Sequence, residues 1–109
     1  AMQRLVRRLP APPMLVKQAV GLVRATRPDD AEATAEVKRY ASFGAGPRAS
    51  QALVLAAKAR AALDGRPMPD LEDLRAVAVP VLRHRLVLNF QAEADGVGAE
   101  RLIALERIR

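Results

Sequence analysis

The stretch running from Gly44-Ala45-Gly46-Pro47-Arg48 to Gly65-Arg66 constrains the fold more than any other part of the chain. It opens as a glycine turn, puts Pro47 where a helix can begin and sets Arg48 directly after it. From Ala49 to Leu63 nearly every residue is Ala, Leu or Val, with Gln51, Lys58 and Arg60 as the long polar exceptions. Gln51 and Lys58 lie seven apart and share one narrow stripe. A helix that is apolar nearly all round is a buried helix. Gly65 then supplies a C-terminal stop, and Pro67 prevents continuation. The pattern predicts a central helix with Arg48 at its N-terminus and the other elements packed around it.

What packs around it must be helical as well. The 109 residues suffice for one domain with a core of its own. Half of them are apolar but only 3% aromatic, so the core is aliphatic and alanine-rich. Thin alanine side chains let helices approach closely and do not fill a β-sandwich. Leu15, Leu22, Leu53, Leu55, Leu63, Leu74, Leu82 and Leu102 are the expected core leucines. The absence of cysteine rules out a disulfide framework or thiolate metal site and fits a reducing compartment. The longest apolar run, Ala76 to Leu82, is far short of the ~20 residues that span a membrane. With no signal-peptide pattern either, a cytoplasmic setting is expected. Ala1 reads as a vector-derived residue, so the domain is expected to be residues 2–109, an excised piece of a longer chain.

Taken in order, Leu5, Val6 and Leu9 suit the end of a helix broken by Pro10-Ala11-Pro12-Pro13. A helix over about 13–26 follows, with Leu15, Ala19, Leu22, Val23 and Thr26 on its packed side. Residues 28–36 read as a surface loop. Residues 37–43 are ambiguous between helical turn and strand; the three-residue spacing of Tyr40 and Phe43 favours the turn, and both aromatics are expected to anchor it to the core. Asp70 is a good N-cap for a helix carrying Leu71, Leu74, Val77, Ala78, Val81 and Leu82, with a kink or restart expected at Pro80 and residues 83–88 finishing that element. After a loop at 91–98, a last helix over about 99–108 presents Leu102, Ile103, Leu105 and Ile108. The fold class is all-α, a small bundle of four to five helices.

Among candidate functional residues, Arg48 stands first. Unpaired backbone N–H groups and the dipole at a helix start favour an anion, and a guanidinium there adds a fork suited to phosphate. Gly44 and Gly46 allow close backbone approach, and Pro47 fixes φ. A plain helix start with a solvated arginine is the competing reading, and the residues alone leave both open. His84 lies between Arg83 and Arg85, two cations that repel a metal, so it reads as a structural or surface histidine. Asp29-Asp30 and Glu72-Asp73 fall in a loop and at a helix start, where solvation and capping explain them. No phosphate-cradling G-x-x-x-x-G-K-[ST] motif is present, and no residue set reads as a metal site. The net charge of +6 comes mostly from arginines scattered over every element. A stand-alone basic helical domain binding nucleic acid is the alternative function, although no aromatic interleaving supports base stacking.

Several of these stretches together resemble one family. G-A-G-P-R-A at 44–49, A-L-V-L-A-A-K-A-R-A at 52–61, G-R at 65–66, D-L-R-A-V-A at 73–78, V-L-R-H-R-L at 81–86 and L-N-F-Q-A-E-A-D-G at 88–96 are similar to the C-terminal lid of MoxR-family AAA+ ATPases. L-V-R-A-T-R at 22–27 fits the second lid helix of that family. Gly46 departs from the pattern, which usually has serine there, so a side-chain cap is expected to be missing. The resemblance implies that Arg48 is the sensor 2 arginine, contacting the terminal phosphates of a nucleotide from a helix start formed with Gly46 and Pro47. It implies ATP and Mg2+ as cofactors of a full-length protein whose Walker and arginine-finger segments lie upstream. It implies a hexameric ring in which the lid meets the AAA+ core domain of its own or a neighbouring subunit. Such proteins act as chaperone-like factors for assembly or maturation of client complexes, alongside von Willebrand A-domain partners. No membrane and no specific nucleic acid are expected.

Duplex DNA should accordingly bind weakly and lose its hold steeply as salt rises. Titration at rising ionic strength checks this, and sequence-selective binding that survives physiological salt would favour the nucleic-acid alternative.

Overall fold

A computed structural model describes residues 10–108. The helix end expected over residues 2–9 lies outside the described residues. The chain runs α1 (Pro13–Ala25), α2 (Ala35–Tyr40), β1 (Ala41–Phe43), α3 (Arg48–Leu63), α4 (Leu71–Leu82), β2 (Val87–Leu88) and α5 (Phe90–Ala94), then two 3-10 turns at Ala99–Leu102 and Leu105–Arg107. The all-α class holds, with one small antiparallel β1–β2 pair added to the helices.

α3 is the central helix, and its most extensive packing is against α4, then α1. Its buried stripe is Ala49, Leu53, Ala57 and Ala61, each four residues on from the last, so three of its four buried contacts are methyl groups. That stripe brings neighbouring backbones close. The helix is not buried all round, however: Leu55 is 37% and Leu63 77% exposed. Leu55 lies with Val16, Val54 and Lys58 along an open groove of about 390 Å³ between α1 and α3. Alanine makes a helix look apolar in sequence on faces where it has too little surface to demand cover. α1 behaves as its spacing predicts, with Leu15, Ala19, Leu22, Val23 and Thr26 all buried.

Local chemistry explains the element boundaries. Thr34, Asp70 and Asn89 cap α2, α4 and α5, each accepting a hydrogen bond from a backbone N–H of the first turn. α3 ends at Gly65, whose φ of +73° only glycine adopts cheaply; the Gly65 N–H donates to the Ala62 carbonyl and the Arg66 N–H to that of Ala61. Pro80 does not break α4, which continues two residues past it to Leu82. Only one backbone bond near the helix end is forgone there, a small loss beside the burial of Leu82. The last helix expected at 99–108 is instead the two 3-10 turns, although Leu102, Ile103 and Ile108 are buried as anticipated.

Three further expectations change. Residues 41–43 are strand, and Val87–Leu88 pairs with them in place of finishing a helix. Ala41 faces Leu88 while Phe43 faces Val87, so Ser42 is an extra residue in the ladder. Such a bulge re-aims the side chain beyond it. Tyr40 anchors the corner as expected, buried with its hydroxyl donating to Asp95 at 2.8 Å, whereas Phe43 is 69% exposed.

Asp73 is likewise more than a first-turn charge. Its carboxylate is fully buried and accepts from Arg60 at 2.7 Å, from two nitrogens of Arg66 and from the Asp70 N–H at 2.8 Å. The Arg66 guanidinium first, with the Asp70 amide and Arg60 helping against the burial penalty, holds the Asp73 carboxyl well below the usual carboxylate range. A depressed folded-state pKa means that the stabilisation is present above the unfolded value and is lost as pH falls through the folded one. Thermal melts should therefore be insensitive to this group above about pH 5 and decline below about pH 4. Asp73→Asn should lower stability at neutral pH by about 2–3 kcal/mol, since both arginines keep part of their surface in water and rehydrate. It should also flatten the acid limb, and melting curves from pH 2 to 7 on both proteins check the two statements together.

Candidate functional site

The site is the connection between β1 and α3, held against the end of α1. At that end Thr26, fully buried, donates its hydroxyl hydrogen to the Val23 carbonyl at 2.7 Å. The same oxygen accepts the Ala45 N–H at 3.1 Å, across nineteen residues of sequence. The contact needs Gly44, because a Cβ there would come within 2.2 Å of the Thr26 carbonyl oxygen. Ala45 and Ala49 are both buried, at 1% and 2% exposure, and between them Gly46, Pro47 and Arg48 form an exposed arch. Pro47, with φ −59° and ψ −29°, already has helical backbone angles, and the Ala49 N–H closes onto the Gly46 carbonyl at 3.0 Å. Arg48 is the first residue of a sixteen-residue helix.

No side chain caps α3, in keeping with the glycine at position 46; α1 is likewise uncapped, while α2, α4 and α5 each carry a cap. A Cβ on Gly46 would meet nothing within 4 Å, so the space before the helix is open. Arg48 makes no ion pair or side-chain hydrogen bond among the described residues. A groove of about 380 Å³ lined by residues 27–29 and 42–46 runs up to the arch. It brings the half-buried Arg27 and the exposed Asp29 beside the glycines. Asp30, just beyond, is turned away to Arg24 at 3.1 Å; the Glu32 N–H first, and then Arg24, lower its carboxyl below the usual range.

Of the residues singled out in the sequence, Arg48, Gly46 and Pro47 come together in this arch. Arg83, His84 and Arg85 lie elsewhere, on the exposed turn between α4 and β2. The carboxylates separate: Asp29 joins the groove, Asp30 its ion pair, and Asp73 completes the expected capping of α4 while also entering a buried arginine cluster. No group of three or more His, Cys, Asp or Glu able to hold a metal ion occurs among the described residues. Sequence reasoning missed the part played by Thr26, counting it with the packed face of α1. The one available signal was a hydroxyl among aliphatic residues, which says nothing about a partner nineteen positions away.

Comparison with known proteins agrees with this architecture. The family model for the AAA lid domain matches residues 33–105. Chaperone MoxR1 of Mycobacterium tuberculosis is 40% identical over 89 residues, which cover 82% of this chain and 24% of that protein. The crystal structure of an ATPase candidate from Cytophaga hutchinsonii superposes with a TM-score of 0.83 at 31% identity, over 97% of this chain and 32% of the other. The chain thus spans about a quarter to a third of the length of the relatives it matches. The matched span takes in more than half of the sequence, and on that ground the chain belongs to the AAA lid domain family.

Proposed function

We propose that this chain, as residues 2–109, is the lid of a MoxR-type AAA+ ATPase and that Arg48 is its sensor 2 residue. The observation that carries the reading is an arginine at the first turn of an uncapped helix, exposed and without a partner among the described residues. Backbone N–H groups and the dipole of α3 favour negative charge at the same place. The open space before Gly46 lets phosphate oxygens approach the backbone.

ATP with Mg2+, when bound by the full-length protein, supplies the phosphoanhydride bond to be hydrolysed. On this reading the Mg2+ ligands and the Walker lysine come from the AAA+ core domain of the same or a neighbouring subunit, as the family resemblance implies. Arg48 contributes a charge that interacts differently with the terminal phosphates before and after hydrolysis. Only such a difference in contact free energy shifts a conformational equilibrium, and the lid then moves relative to the core. A hexameric ring, a von Willebrand A-domain partner and chaperone-like maturation of client complexes complete the reading. The similarity to a protein named as a chaperone supports the chaperone-like part of that reading. No helix among the described residues is long and apolar enough to cross a membrane, and a cytoplasmic setting is part of the same proposal.

Substituting Arg48 in the full-length parent tests this. Arg48→Ala should cut ATP turnover heavily, by less than the ~10³-fold or more of an arginine finger because the residue also signals conformation. ATP affinity should fall much less, and the melting temperature should hold, since the side chain is exposed. Arg48→Lys should stay impaired, because a point charge does not reproduce the guanidinium fork. Turnover, affinity and melting measured on both variants decide the matter; normal turnover in Arg48→Ala would remove the sensor role.

A further inference from the structure

We propose that Thr26 is the positioning residue for Arg48, setting through the Ala45 amide where that guanidinium is presented. This rests on the reading of Arg48 given above and adds a residue to it. The Thr26 hydroxyl does two things at once. Its donation to Val23, three residues back, is an ordinary helix-end bond. Its acceptance of the Ala45 N–H is not, because it joins the end of α1 to the start of α3 inside the protein, with both partners buried.

From Ala45 the chain has little freedom before it reaches Arg48. Only Gly46 and Pro47 intervene; proline removes one torsion, and the Gly46 carbonyl is already engaged by Ala49. Ala45 and Ala49 are held in the core on either side, so the arch projecting Arg48 is anchored at both feet. Gly44 keeps the connection pressed onto the α1 backbone, where any side chain would push it outward. A shift of the Ala45 foot therefore becomes a shift of Arg48. Displacements of about 1 Å remote from the reacting groups can cost on the order of 10²-fold in rate.

A double-mutant cycle in the full-length parent tests this, with ATP turnover measured for Thr26→Val, Thr26→Ser, Arg48→Ala and the combination Thr26→Val with Arg48→Ala. Thr26→Val keeps the shape and deletes the hydroxyl; it should lower kcat by about tenfold while leaving KM for ATP within about twofold. Thr26→Ser, which retains the hydroxyl, should restore kcat to near the wild-type value. In the Arg48→Ala background, Thr26→Val should cause no additional loss, because the group it positions is gone. A loss that multiplies with that of Arg48→Ala, or one that Thr26→Ser fails to restore, would overturn the assignment and leave Thr26 as a stabilising bond alone. Normal turnover in Arg48→Ala would instead remove the sensor reading itself, so the two failures are distinct. Should Thr26→Val not fold, Thr26→Cys, whose thiol accepts a hydrogen bond poorly, takes its place in the same cycle with the same expected non-additivity.

Discussion

The Asp73 carboxylate is the interaction on which the bundle depends. An unpaired charge in that position would be prohibitive, and the fold resolves this by bringing two guanidinium groups and a backbone N–H to it. Arg60 comes from the last turns of α3, Arg66 from the connection after it, and Asp70 from the cap of α4. One buried group thus fixes the end of one helix, the turn and the start of the next. At its other end the connection leading into α3 is fixed to the end of α1 by the hydroxyl of Thr26, which accepts the Ala45 N–H. Polar contacts thus hold α3 near both of its termini, with methyl groups packed between them. Under the proposed function, such ties would let the lid turn as one piece.

Elements governed by short-range chemistry were legible before any coordinates. The Gly65 stop, the Asp70 cap and the packed face of α1 depend on residues within one or two turns, and the structure bears each of them out. What depends on distant partners was not. Leu55 and Leu63 look like core residues until the neighbouring helices turn out not to reach them. The β1–β2 pair requires residues more than forty positions apart to meet, and strands of three and two residues are too short to show alternation. Asp73 reads only as a first-turn capping acid because nothing local reveals that Arg60 and Arg66 converge on it.

The candidate site divides along the same line. Arg48, Pro47 and Gly46 stand out because proline and glycine punctuate the chain there, and the family resemblance then singles out the arginine. The support beneath them is invisible in sequence. Gly44 reads as room for an approaching anion, yet what it accommodates is the backbone of Thr26 and Arg27, too close for any other side chain. Phe43, on the other side of Gly44, was expected in the core and faces solvent because of a single extra residue at Ser42. Both errors come from treating a connection as a string of preferences when its course is set by the helix beneath it.

Tyr40 has a consequence for spectroscopy. The chain contains one tyrosine and no tryptophan, so its near-ultraviolet absorption and emission arise almost wholly at one position. That ring is buried at the junction of α2 and β1, with its hydroxyl on Asp95 beyond α5 and the Arg39 guanidinium 5.3 Å from its centre. Intrinsic fluorescence of the domain is therefore a single-site reporter of this corner. It is blind to events confined to the α3–α4 end, and a melt followed by tyrosine emission coincides with one followed by helix content only when the bundle unfolds as a whole.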